Sequence, residues 1–185
     1  MPTTRKTDRH RDRSTRRSTD KTPAELKAER QVQSLGVDID AMAAVSNIFR
    51  VANAVRNVTE RQLLDDHHLT FSGFTVLWVL WIWGPKESLA LARESGVSKS
   101  TLTGIVKTLA QQSLVTREAH STDGRRVIVK ATRKGVATIR RIFPAFNAIE
   151  AQITSSLSGG EKDELARLLR CMLAALEDDS IGGHI

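Results

Sequence analysis

The sequence contains no tyrosine and a single cysteine, and aromatic residues make up only 4% of its 185 positions. One thiol cannot close an internal disulfide, which excludes a cystine-stapled scaffold. The longest apolar stretch, residues 74–83, is interrupted at Thr75 and falls far short of the ~20 residues that span a bilayer, so no membrane association is expected. The basic N-terminus is not followed by an apolar segment, which argues against a secretory leader and for a cytoplasmic location. Nucleophile elbows, phosphate-binding loops and paired catalytic carboxylates are missing too, so neither an enzyme nor a cofactor is expected.

What the chain does have is charge, unevenly placed. With 40% hydrophobic and 26% charged residues it can bury a core like an ordinary globule. Residues 1–22 hold eight Lys and Arg against three Asp with Met1 as the one apolar residue, and residues 86–141 hold twelve basic against four acidic residues. The stretches 23–85 and 142–185 are net acidic. A strongly cationic internal block is the footprint of a nucleic-acid surface, because Lys and Arg neutralise phosphates and release counterions. A solvated basic face is the bland alternative. Residues 1–22 are too poor in apolar content to offset the entropy of ordering and read as a disordered basic arm. Residues 23–185 read as a single domain.

Helical periodicity organises most of that domain. Pro23 suits a first turn and opens a short helix to about Gln33, ended by Gly36. Met42, Val45, Phe49, Ala52, Val55 and Leu63 recur at helical spacing along a long helix from Asp40 towards Asp65. A second helix, from Leu69-Thr70 through Trp83, is apolar on almost every face and must be central, until Gly84-Pro85 stops it. Thr132 is placed to cap a helix to about Ser155, with Pro144 expected to kink it. Ser158-Gly159-Gly160-Glu161 is a capping-box pattern, and Leu165, Leu168, Leu169, Met172, Leu173 and Leu176 follow as a wide apolar stripe that wants a partner. Cys171 falls in that stripe, where a buried thiol would be an inert small hydrophobe.

The basic block carries the chemistry. A short helix over Leu89–Glu94, a turn at Ser95-Gly96-Val97 and a helix from Ser98 to Gln112 make a tight helical pair. Ala92, Gly96, Leu102 and Ile105 supply the small contact residue, the turn residue that tolerates positive φ and the two core residues of a helix-turn-helix. Leu102, Ile105, Val106 and Leu109 then face inward, and Ser100, Thr103, Gly104 and Lys107 face out. Small hydroxyl side chains, a lysine and a glycine let such a helix enter a major groove closely. Two β-prone runs, Val115–His120 and Arg126–Thr132, flank Ser121-Thr122-Asp123-Gly124, and Asp-Gly between such runs signals a hairpin. Arg125 and Arg126 at its tip could reach phosphates or a narrow minor groove. Helix-turn-helix plus basic hairpin is a winged helix, so the expected fold is mainly α with a small β-wing.

From Asp40 to Leu176 the order of elements resembles the multiple-antibiotic-resistance regulator (MarR) family of winged-helix repressors. The resemblance is carried by Leu69-Thr70 through Leu80, Leu91-Ala92 through Gly96-Val97-Ser98 and on to Leu114-Val115, Asp123-Gly124-Arg125-Arg126, Thr132-Arg133-Lys134-Gly135, and Leu157-Ser158-Gly159-Gly160-Glu161. It implies a homodimer on a palindromic double-stranded operator, with residues 86–132 as the winged helix and residues 23–85 and 133–185 mainly dimerisation helices. It implies DNA contacts from Ser98, Lys99, Ser100, Thr101, Thr103 and Lys107, and a minor-groove Arg125 held by Asp123. It also implies ligand-linked release.

Many members carry Pro where Lys99 stands and a long polar residue where Gly104 stands, so their base preferences do not transfer. The family's ligand pocket lies between the dimer helices and the lobe, which makes Arg56, Phe74, Trp78 and Trp81 candidates for a small aromatic acid, gripped by ion pairing and stacking; core packing of these residues is the alternative. Urate-sensing relatives use acidic and arginine ligands at positions that are Thr75 and Gly104 here. Peroxide-sensing relatives use a cysteine in the first long helix, which this chain lacks. Asp65-Asp66-His67-His68 could offer metal ligands but reads better as a helix end, with no metal expected. The expectation is a sequence-specific transcriptional regulator, a repressor released by a small molecule. An architectural DNA-binding protein with little sequence preference is the rival reading.

Overall fold

The computed structural model describes residues 21–119 and 126–177. Most of the disordered-arm assignment and the tip of the wing, including Asp123 and Arg125, lie outside them. The chain divides between Val45 and Ser46 into two units. The first holds α1 (Pro23–Val32), opened by Thr22 in a reciprocal capping box with Glu25 that satisfies two otherwise orphaned backbone donors. A short 3-10 turn to Leu35 follows, and Gly36 stops the run at φ 66°, a left-handed conformation suited to glycine. The helix α2 (Ile39–Thr59) starts here and runs on into the second unit.

The second unit is mostly helical with a small antiparallel sheet. Beyond Thr59 the helical run reaches the expected end at Asp65, but its winding changes: residues Glu60–Leu64 form a π turn and Asp65–His67 a 3-10 turn, closed by His68 at φ 54°. The acid-histidine cluster is therefore a helix end. Next come α3 (Phe71–Trp83), β1 (Lys86–Glu87), α4 (Ser88–Glu94), α5 (Lys99–Gln111), β2 (Val115–Ala119), β3 (Val127–Ala131), α6 (Arg133–Ile153) and α7 (Gly159–Glu177). The Thr70 hydroxyl accepts from the Gly73 N–H at 3.1 Å, and Glu60 accepts from the Phe71 N–H at 2.8 Å. The π turn thereby aims a carboxylate at the N-terminus of α3, where negative charge is favoured. As its all-round apolarity requires, α3 is central: Phe74, Val76, Leu77, Val79 and Leu80 are buried. Gly84, at φ 77° and ψ −166°, ends it in a region open essentially to glycine alone.

The sheet order is β1-β3-β2, with Val115 opposite Ala131, Arg117 opposite Val129, and Lys86 also paired to Val129. Val115 and Val129 seal the sheet onto the core formed by α3, α5 and α6. The start of α6 is tied down closely. The Thr132 N–H donates to the Leu114 carbonyl at 2.9 Å, its hydroxyl donates to the Ser113 carbonyl at 2.7 Å, and the same hydroxyl caps the Gly135 N–H. A Cβ at Gly135 would lie 2.1 Å from the Leu114 carbonyl oxygen, so only glycine fits there. The helix α6 continues through Pro144. The capping box of α7 forms as expected, with Ser158 and Glu161 exchanging hydrogen bonds. Its apolar stripe, however, is exposed, and so is Cys171, whose Sγ lies 3.7 Å from the Arg167 guanidinium. The expected burial of this thiol is thus not met, because no described residue covers it. No described helix is long and apolar enough to cross a membrane.

Candidate nucleic-acid interface

The helix-turn-helix is built by local bonds. The N–H groups of Ser95, Gly96 and Val97 donate back to the carbonyls of Leu91, Arg93 and Ala92, closing α4. Gly96 takes φ 65°, the conformation a sharp turn demands and a side chain resists. Ser98 then caps α5, its hydroxyl accepting from the Thr101 N–H at 3.1 Å and lying 2.9 Å from the Ser100 hydroxyl. Leu102, Val106 and Leu109 are buried, Ile105 is half-buried, and Ser98, Lys99, Ser100, Thr101, Thr103, Gly104 and Lys107 are exposed. All six recognition-helix candidates thus stand on the solvent side of α5 or at its cap. Thr103 already spends its proton on the Lys99 carbonyl at 3.0 Å, so its oxygen is left to accept. Around Gly104 a Cβ would meet nothing within 4 Å.

Electrostatically this lobe sorts its charges. Its described acids are each held by a cation: Glu94 by Lys86 at 2.8 Å, Glu87 by Arg126 through both carboxylate oxygens, and Glu118 by Lys130 across the hairpin. Among the described residues Lys99, Lys107 and Arg117 have no such partner. The surface beside α5 is therefore left with free positive charge.

Arg126 departs from its assigned place. It stands at the base of the wing, immediately before β3, and its guanidinium reaches to β1 rather than out into solvent. The reason is non-local: Glu87 lies 39 residues earlier and is brought alongside by the pairing of β1 with β3. Conversely, Arg117, which the strand pattern alone does not single out, belongs to the site. It lines a groove of about 440 Å³ together with Glu87, Lys99, Thr103 and Arg126. The alternation Val115-Thr116-Arg117 carried the signal, because it puts Arg117 on the sheet face of buried Val115.

The ligand candidates sit in an aromatic cluster. The Arg56 guanidinium lies 5.9 Å over the ring of Phe71, and Phe71 and Phe74 both pack on Phe146, at 6.4 and 4.7 Å between ring centroids. Trp81 joins through Phe143, whereas Trp78 turns to Trp83, edge-on at 5.1 Å. Arg56, Phe74 and Trp81 are thus linked through shared ring contacts, and Trp78, on the same helix face between Phe74 and Trp81, makes its ring contact with Trp83 instead. Among the described residues no three His, Cys, Asp or Glu side chains gather as metal ligands.

Residues 69–127 match the family model described as the MarR family. The chain is 29% identical over 141 residues to the HTH-type transcriptional regulator YwaE of Bacillus subtilis (strain 168), covering 76% of this chain and 82% of that protein. Its fold is similar to that of Bordetella bronchiseptica BpsR, from a structure describing how 6-hydroxynicotinic acid regulates DNA binding of that protein: TM-score 0.63, 24% identity, 70% of this chain and 98% of the other. It is also similar to Staphylococcus aureus MepR in complex with DNA, at TM-score 0.65 and 20% identity over 71% of this chain and 97% of that one.

Proposed function

We propose that the chain is a member of the MarR family of winged-helix transcriptional regulators, to which residues 69–127 match, and that it is a cytoplasmic homodimeric repressor that grips a palindromic operator and lets go when a small aromatic acid binds. The observation that carries this reading is the outer face of α5, where Lys99, Ser100, Thr103 and Lys107 stand exposed around an unobstructed Gly104. Side chains this small let the helix backbone come close to base edges, and the two lysines reach phosphates. Ser98 and Thr101 belong to the first turn of the same helix, whose N–H groups suit a phosphate oxygen. Asp123 and Arg125 complete the interface from the wing, with Arg125 entering the minor groove, while Arg126 borders it from the wing's base in its pair with Glu87.

Dimerisation follows from α7. Six large apolar side chains on one face remain in water in the single chain, more than a monomeric surface ordinarily leaves exposed. Two lobes then sit about 34–36 Å apart on successive major grooves. For release, the Arg56 guanidinium over the phenylalanine cluster favours an aromatic carboxylate, and BpsR is regulated by one such acid.

A footprint of the protein on the DNA upstream of its own gene, with a salt titration, tests the reading. A protected palindrome that survives excess random DNA is expected, as is its loss on adding an effector from a screen of aromatic acids. Diffuse coverage that salt removes would overturn sequence-specific regulation.

A further inference from the structure

The groove between α5 and the base of the wing has a construction that the outer face of α5 does not explain. Its lining brings together Lys99 from the first turn of α5, Arg117 from β2, Thr103 and the Glu87–Arg126 pair. Arg117 is paired in register with Val129 and so shares its sheet face, since directly opposed residues in an antiparallel pair project to the same side. Val129 is fully buried, whereas Arg117 is exposed. Arg117 is therefore the residue at which the core-facing side of the sheet runs out from under the core, and this directs its side chain into the groove. Neither Arg117 nor Lys99 has an ion-pair or side-chain hydrogen-bond partner among the described residues, whereas the third cation of the groove, Arg126, is held by both oxygens of Glu87. A groove of about 440 Å³ with two unspent cations in its lining is suited to a tetrahedral oxyanion, and a guanidinium and an ammonium sharing a groove can hold separate oxygens of one phosphate.

We propose that Lys99 and Arg117 clamp a single DNA backbone phosphate in this groove, while Glu87 keeps Arg126 as a fixed wall and out of the clamp. The proposal deepens the DNA-binding reading and rests on it. A phosphate held here fixes the register of α5 in the major groove from the side, so the clamp contributes to affinity on every sequence and to base preference on none.

The test measures binding of wild type, Arg117→Ala, Lys99→Ala and the double variant to two duplexes across a salt series. One duplex is enriched by wild type from a random library, and the other is an arbitrary sequence. Each single variant is expected to lose about tenfold on both duplexes, and the salt slope to fall by ~0.9, the value for one phosphate. The double variant should lose little beyond either single one, because both residues serve the same phosphate. Glu87→Gln should release Arg126 and raise the salt slope. Unchanged affinity and slope for Arg117→Ala would overturn the clamp, and a double variant whose slope falls by twice the single amount would overturn the shared phosphate. Losses confined to the enriched duplex would make these residues base readers instead. If wild type enriches no sequence yet the slopes behave as stated on arbitrary DNA, the clamp stands and the specific-regulator reading fails. If wild type binds neither duplex, both fail. Thermal unfolding of each variant separates these results from misfolding, since no described bond depends on either side chain.

Discussion

The helices α3 and α7 both carry dense apolar residues, yet one is the most enclosed element of the molecule and the other the most open. Val76, Leu77 and Val79 of α3 are 0% exposed, while Leu173 and Leu176 of α7 are 60% and 66% exposed. The difference lies in pattern. The apolar residues of α3 leave no polar side to turn towards water, so other elements must close around it. Those of α7 recur at three- and four-residue intervals with Glu164, Arg167 and Arg170 beside them, which solvates one side and leaves the other as an exposed apolar stripe. Full burial thus marks the core of the lobe, and an unmatched stripe marks where a second chain is proposed to dock.

Breaking the α7 side of this contrast should have the largest consequence. Leu169→Glu with Leu173→Glu places two charges in the stripe; the protein should then run as a monomer in light scattering, and affinity for a two-half-site duplex should fall by ~100-fold or more as the second lobe is lost. Because α7 has no buried residue in the single chain, the lobe itself should keep its fold. The α3 side breaks differently. Leu109→Ala, on the face of α5 that packs against it, should destabilise the lobe by about 2–5 kcal/mol in denaturant melts and leave the two-chain state intact. The contrast sharpens at Gly104, which is exposed like the α7 stripe but lies on the face proposed to meet DNA. Gly104→Ala should stabilise α5 by about 1 kcal/mol, since glycine is a poor helix former and nothing occupies the space. It should nevertheless weaken DNA binding; equal or tighter binding would mean that the centre of this face does not approach the duplex.

The smallest effect belongs to the solvated side of α7. Arg167 hydrogen-bonds Glu164 and holds its carboxyl below the usual range. A depressed carboxylate stabilises above its unfolded pKa, and the contribution disappears as pH falls through the folded value. Glu164→Gln should therefore differ from wild type only at neutral pH and converge with it in acid, and the difference should be slight because the pair is fully exposed.

Much of the lobe was legible in the sequence because it is made locally. The Ser98 and Thr132 caps, the Gly96 turn and the inward spacing of Leu102, Val106 and Leu109 are each set within a few residues, and each forms as the pattern requires. What could not be read depends on distant partners. The two-residue strand β1 exists only because Lys86 and Glu87 find Val129 and Ile128 some forty positions on, and the same pairing captures Arg126. The π turn at Glu60–Leu64 gave no periodic signal, since it leaves the apolar positions in place and changes only the winding. The solvent exposure of Cys171 could not be read because a helical stripe shows which residues share a face and not whether anything covers it. Arg117 was concealed by being charged on a strand, where a basic residue ordinarily means an outward side.

The joint at Thr132 has a mechanical consequence. With Thr132 bonded to the turn after α5 and the Gly135 backbone packed against the Leu114 carbonyl so closely that no Cβ fits, the first turn of α6 is tied to the wing at several points. A torque applied along α6 is therefore expected to reach β2 and the end of α5. The helix then serves as the handle of a rigid lever, and the angle at which the lobe meets DNA is set by whatever holds the far end of that handle.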